Sequence, residues 1–158
     1  MNKKTYFERQ KNRYKEGEFR WCTQTVLQQH KENCRQIMRI ADEAVRLEFL
    51  FDLPWDMERT YKIEKFQYPI DWTYMPTDDS EFIYQMNRHR YFICLGQAYA
   101  MTGNEKYAEA FVRILRDWIE HVPLNQESKK VTWREIEAGV RGGNWTKRIF
   151  REQFFGRR

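Results

Sequence analysis

The stretch MNRHRYFICLGQAYAMTGNEKYAEAFVRILRDWIEHVP, residues 86–123, constrains this chain most. Its apolar residues can be covered together only if it forms two amphipathic helices folded back on one another. Phe82, Met86, His89, Ile93, Gly96 and Ala100 follow a helical stripe that Ile83, Cys94 and Met101 widen. This predicts one helix from about residue 80, capped by Asp79 or Ser80, that stops at Thr102-Gly103. Gly103 can take the left-handed conformation that closes a helix. Asn104 then caps a second helix, in which Tyr107, Ala108, Phe111, Ile114, Leu115, Trp118, Ile119 and Val122 keep helical spacing until Pro123 ends it.

The same spacing runs from Trp21 to about Leu47 through Val26, Cys34, Ile37, Met38, Ala41, Ala44 and Val45, which predicts an earlier helix. Residues 49–79, FLFDLPWDMERTYKIEKFQYPIDWTYMPTDD, carry Pro54, Pro69 and Pro76 and show no helical period. They predict a long extended connection anchored by Trp55, Phe66, Tyr68, Ile70 and Trp72, with a short helix or strand within 57–65. A last helix is expected from Thr132, whose spacing to Glu135 fits a capping box. Gly142-Gly143 would kink or end it. The expected fold is all-α, with 1–20 a basic N-terminal segment and 21–158 a single domain.

Composition narrows the function classes. The net charge of +5 is uneven. Residues 1–20 hold seven basic and three acidic side chains (+4), and 141–158 hold six and one (+5), which leaves −4 for the middle. Basic ends attract polyanions, but no nucleic-acid motif accompanies them, and nucleic acid is not expected as a partner. Solvated termini explain the same charge. Cys22, Cys34 and Cys94 have no CxxC spacing, so neither a metal site nor a disulfide framework is expected, and no cofactor is implied. No run is long and apolar enough to span a membrane. The start, MNKKTYFERQKNRYKEGEF, lacks the apolar run of a secretory signal.

Two readings fit the hairpin. Leu95-Gly96, Tyr99, Gly103 and Ala108 match the spacing of a tetratricopeptide-like repeat, which would make the chain a stand-alone protein-interaction module. Such repeats need about three stacked copies, and no second copy occurs at a 34-residue offset. The other reading covers more of the chain. IADEAVRLEF, IDW, NRHRYF followed by LGQAYAMTGNEKYAEAFVRILRDWI, and TWREIEAGVRGGNW occur in that order between about Ile37 and Trp145. Together they resemble the N-terminal domain of the heparinase II/III family of polysaccharide lyases. The two glycines of RGGNW depart from the family pattern.

The resemblance implies helical hairpins forming part of an incomplete α/α toroid around a groove for an acidic polysaccharide, such as heparan sulfate or another uronate-containing glycan. Members are typically periplasmic or secreted. They cleave beside a uronate by β-elimination: donors neutralise the carboxylate, a Tyr or His takes the neighbouring proton, and an acid protonates the leaving oxygen. The family's catalytic Asn, Tyr and His lie downstream of the part matched here. The expectation is therefore an N-terminal fragment with no catalytic residue of its own, inactive alone and at most glycan-binding, with self-association possible through open helix edges.

Asn87, Arg88 and His89 match the strongest polar motif and are candidates for contact with a uronate, a sulfate or sugar. Trp133, Arg141, Asn144 and Trp145 match the final motif, as sugar platforms and an anion site. Each has a structural reading as well. Asn87, Arg88 and His89 can tie the helix to the 49–79 connection. Arg141 can pair with Glu137 one turn away. Both tryptophans, like Trp118, can pack between helices, and Asp71-Trp72 can pin the connection.

Overall fold

The computed structural model describes Thr5 and residues 27–53, 56, 59–60 and 62–153, with side chains up to Trp145. The basic segment 1–20 apart from Thr5, the expected helix start at Trp21, Cys22, Trp55, Phe154 and Phe155 lie outside the described residues.

Helix α1 spans Lys31–Val45 and buries Cys34, Ala41, Glu43 and Ala44 on one face. His30 separates it from a helical turn at 27–29, so the expected continuous helix is broken there. Leu47, at a φ of 55°, turns the chain out of α1 into β1 (Glu48–Phe49). β1 pairs antiparallel with β2 (Glu64–Lys65), Glu48 opposite Lys65 and Phe49 opposite Glu64. These four residues are the only strand pairing among the described residues, so the fold is all-α.

Among its described residues the 49–79 connection forms no helix and is held by aromatic side chains. Phe66 packs edge-on against Phe49 and Tyr74, with centroids 5.8 and 5.3 Å away, and Phe51 does so against Phe82 at 5.3 Å. Each such pair adds about 0.5–1.5 kcal/mol beyond its buried area. Ile70 and Trp72 are buried, and both donate to Oδ2 of Asp117, through the Ile70 amide (3.2 Å) and the Trp72 indole (2.8 Å).

Two helices, α2 (Glu81–Arg88) and α3 (Tyr91–Thr102), replace the single helix expected from about residue 80 to 102. His89 stands between them in the left-handed conformation (φ 54°). Asp79, not Ser80, supplies the cap, its Oδ1 accepting from the Glu81 amide at 2.8 Å. Gly103 closes α3 at φ 67°, and Asn104 Oδ1 accepts from the Lys106 amide to open α4 (Glu105–His121). After a 3-10 turn at Ser128–Lys130 comes α5 (Glu135–Gln153), which runs through Gly142-Gly143 without ending.

α3 is the centre of the molecule, packed against α1, α4 and α5. Phe92, Leu95 and Ala98 are fully sealed there. Burying an aromatic or branched side chain of this kind contributes about 1.5–3 kcal/mol.

Candidate functional site

The two polar motifs meet where α5 crosses the break at His89. The break redirects amide donors: the Phe92 N–H, which a continuous helix would aim at the Arg88 carbonyl, donates to His89, and the Ile93 N–H donates to Arg90. α5 supplies side chains in their place. Arg141 Nη1 donates to the Asn87 carbonyl at 2.9 Å and to the Thr132 carbonyl at 3.0 Å. Asn144, one turn further, donates through Nδ2 to the Arg88 carbonyl at 2.7 Å. Two residues three apart on one helix thus hold two consecutive carbonyls of another.

Asn87 is sealed and joins three elements. Its Oδ1 accepts from Trp118 Nε1 at 2.8 Å, and its Nδ2 donates to the Trp72 and Ile83 carbonyls at 2.9 and 2.8 Å. The indole can only donate and the carbonyls can only accept, so the amide orientation is determined. The tie between Asn87 and the connection therefore runs through the Trp72 main chain.

Arg141 lies in a cage of indoles, its guanidinium carbon 4.3 Å from the Trp118 ring centre, 4.8 Å from Trp133 and 5.9 Å from Trp145. Burial pushes its pKa down to about 10, against the pull of Glu137 and Tyr91, so it remains a cation at neutral pH. Cation–π attraction strengthens when the cation is desolvated, to about 2 kcal/mol or more. Glu137 is not its hydrogen-bonding partner as the i,i+4 spacing suggested. That carboxylate, itself sealed, accepts a hydrogen bond from Arg88 Nη2 at 2.8 Å and lies in ion-pair contact with Arg134 Nε at 3.3 Å, and Arg88 also reaches Glu81. The capping box is likewise not formed. α5 starts at Glu135, and Thr132 contributes its carbonyl to Arg141.

His89 is sealed among Trp72, Tyr91, Phe92, Trp118 and Trp145. Trp145 Nε1 donates to its Nδ1 at 2.9 Å, which puts the imidazole proton on Nε2. Burial, and then the charge of Arg141, hold its pKa well below the usual histidine value.

All seven candidates thus gather in one network. Asn87, His89, Arg141 and Asn144 are buried in it, with their contacts made inside the protein. Arg88, Trp133 and Trp145 keep partial exposure. Trp133 donates its indole N–H to the Val122 carbonyl at 3.0 Å, and Trp118 is core. Asp71 makes a local turn with Thr73 while Trp72 does the pinning. Sequence reasoning passed over Asp117 and Glu81. Asp117 had a signal, an acid set between Ile114 and Trp118 on a face that packs inward. Among the described residues no group of His, Cys, Asp and Glu could hold a metal ion, and no helix is long and apolar enough to cross a membrane.

Packed helices joined by short connections and tied by a buried arginine between tryptophans make this an all-α helical scaffold. The chain belongs to the heparinase II/III N-terminus family, which it matches over residues 3–155. It is 35% identical over 92 residues to the heparin-sulfate lyase of Bacteroides stercoris, covering 58% of this chain and 13% of that protein. A heparin-sulfate lyase of Pedobacter heparinus is 34% identical over 74 residues, 46% of this chain and 11% of that one. Among solved structures, a mutant of the heparan sulfate lyase HepC from Pedobacter heparinus superposes with a TM-score of 0.63 at 26% identity over 72% of this chain and 17% of that one. A heparinase III shares the fold at a TM-score of 0.59 and 20% identity, over 94% of this chain and 28% of that one. The helices are therefore part of an α/α toroid, and the chain spans less than a third of the length of these relatives.

Proposed function

We propose that this chain is the opening part of the toroid of a polysaccharide lyase acting on a uronate-containing glycan such as heparan sulfate, and that it does not carry out β-elimination alone. The observation that carries this reading is the family match over residues 3–155. The internal commitments of the candidate residues support it. An elimination base must reach the proton it removes. His89 is sealed, with its Nδ1 lone pair taken by Trp145. Asn87 uses its amide on Trp72, Ile83 and Trp118. In this reading Asn87, His89, Arg141 and Asn144 position the helices, Arg88 is held between Glu81 and Glu137, and direct glycan contact from the set falls to Trp133 and Trp145.

The test is to incubate the chain with heparan sulfate and follow the absorbance of unsaturated uronate. The expected result is no rise. A rise abolished by substituting any residue of the chain would overturn the reading. The names of the relatives favour an acidic glycan partner over the repeat-module alternative. Self-association is the second part of the proposal, favoured by the exposure of Ile119, Leu124 and Ile136 at 59, 61 and 61%. Sizing chromatography with a shift on Ile119→Lys checks it.

A further inference from the structure

We infer that the groove between the end of α1, residues 66–68 and the first half of α4 is a binding site for an anionic sugar unit, one bearing a sulfate or a carboxylate. This rests on the acidic-glycan reading above and deepens it. The groove encloses about 340 Å3, room for about one sugar ring with its substituents. Arg46, Lys106 and Arg113 line it with one lining carboxylate, Glu109, and because Glu48 and Asp42 pair with Arg46 and Lys106, Arg113 is the lining cation without an ion pair among the described residues.

The three cations are not equivalent. Arg46 uses Nε on Glu48 at 2.8 Å, and Lys106 meets Asp42 at 2.8 Å, so each is partly neutralised but keeps further N–H donors. Arg113 makes no ion pair among the described residues, and its guanidinium lies over the Tyr68 ring, 4.8 Å from the centre. A guanidinium held by its flat face keeps its N–H donors, at the edge, available for an oxyanion. Tyr68, half-buried in the same wall, offers an apolar ring beside that edge. The combination of a donor fork, a second cation and an aromatic surface fits a charged sugar. The comparable recess beside Trp72, about 350 Å3, carries Asp71 and Glu127 and would repel a polyanion.

The experiment is calorimetric titration of the full chain with a heparin-derived tetrasaccharide at low salt. Wild type is expected to bind, and to bind more weakly as salt rises. Arg113→Gln should weaken binding roughly tenfold, the worth of one charge-assisted contact. Adding Lys106→Gln should weaken it further. Arg116→Gln, an exposed cation on α4 outside the groove, should leave affinity unchanged, and unchanged circular dichroism shows that the variants fold. Undiminished binding by Arg113→Gln would sink the site while leaving glycan binding standing. Absence of binding by wild type would sink both. Equal competition by an oligonucleotide of similar charge would overturn the assignment to a sugar.

Discussion

Trp145 donates its indole N–H to His89 Nδ1 at 2.9 Å, and the two rings lie 5.7 Å apart and 9° from parallel. The bond exists only while Nδ1 keeps its lone pair, so the junction of α5 with the helix break depends on a neutral histidine.

Stability should therefore fall on mild acidification. The folded pKa of His89 is depressed by burial, so below about pH 6.5 the unfolded chain binds a proton that the folded one does not. The contribution is complete above the unfolded value. It is lost as pH drops below it toward the folded value, by up to about 1.4 kcal/mol per pH unit. Urea unfolding at several pH values between 7.5 and 5 measures the slope. His89→Asn, which also accepts a left-handed backbone, should flatten it while lowering stability overall. An unchanged slope would contradict the assignment.

Removing the cation from the indole cage should be among the most damaging single changes. Arg141→Met leaves the Asn87 and Thr132 carbonyls buried without a donor, at about 3–5 kcal/mol. Arg141→Lys keeps the charge but loses the flat guanidinium set among the three indoles, and should recover only part of that. Denaturant midpoints with tryptophan fluorescence distinguish the two.

Asn87→Asp tests whether donors and acceptors are arranged as described. The new carboxylate oxygen would face the Trp72 and Ile83 carbonyls, which now receive N–H bonds. A loss of about 3 kcal/mol or more is expected for a one-atom change, because a buried charge is left opposite acceptors. Thermal unfolding would reveal it.

Asp117→Ala should loosen the long connection before it unfolds the helices. It deletes the acceptor for the Ile70 amide and the Trp72 indole together. Limited proteolysis should cut within 62–79 faster, and amide exchange at Ile70 should accelerate, while the helical circular dichroism signal changes less.

Two glycine substitutions should act in opposite directions. Gly103→Ala forces a side chain into a backbone of φ 67° and should cost about 1 kcal/mol although the space around it is open. Gly139→Ala, in the open on α5, should stabilise by about 0.5–1 kcal/mol through helix propensity. Melting temperatures of the two variants check both signs.

Much of this arrangement was readable from residue order. The spacing of Tyr107, Ile114 and Trp118 defined α4, and Gly103 and Asn104 marked its start, because helical periodicity and capping are local properties. The prolines and aromatics of 49–79 announced a non-helical, anchored connection for the same reason. The order of IADEAVRLEF, IDW, NRHRYF and TWREIEAGV along the chain pointed to the family, while the two glycines of RGGNW departed from its pattern. What local pattern could not express was the break at His89. The apolar stripe continues across it, and only the donors arriving from Arg141 and Asn144, 52 and 55 positions further along the chain, make a broken helix the better solution. Thr132 misled for a related reason, since its carbonyl is drawn to Arg141 and the helix starts later. The choice of Arg88 over Arg141 as the hydrogen-bonding partner of Glu137 was also decided by packing. Residue order determined which segments are helical and which family they belong to. Tertiary structure alone decided that the polar motif residues face one another inside the protein, because hydrogen bonds between distant segments depend on how helices cross, and helix crossing leaves no period in a sequence.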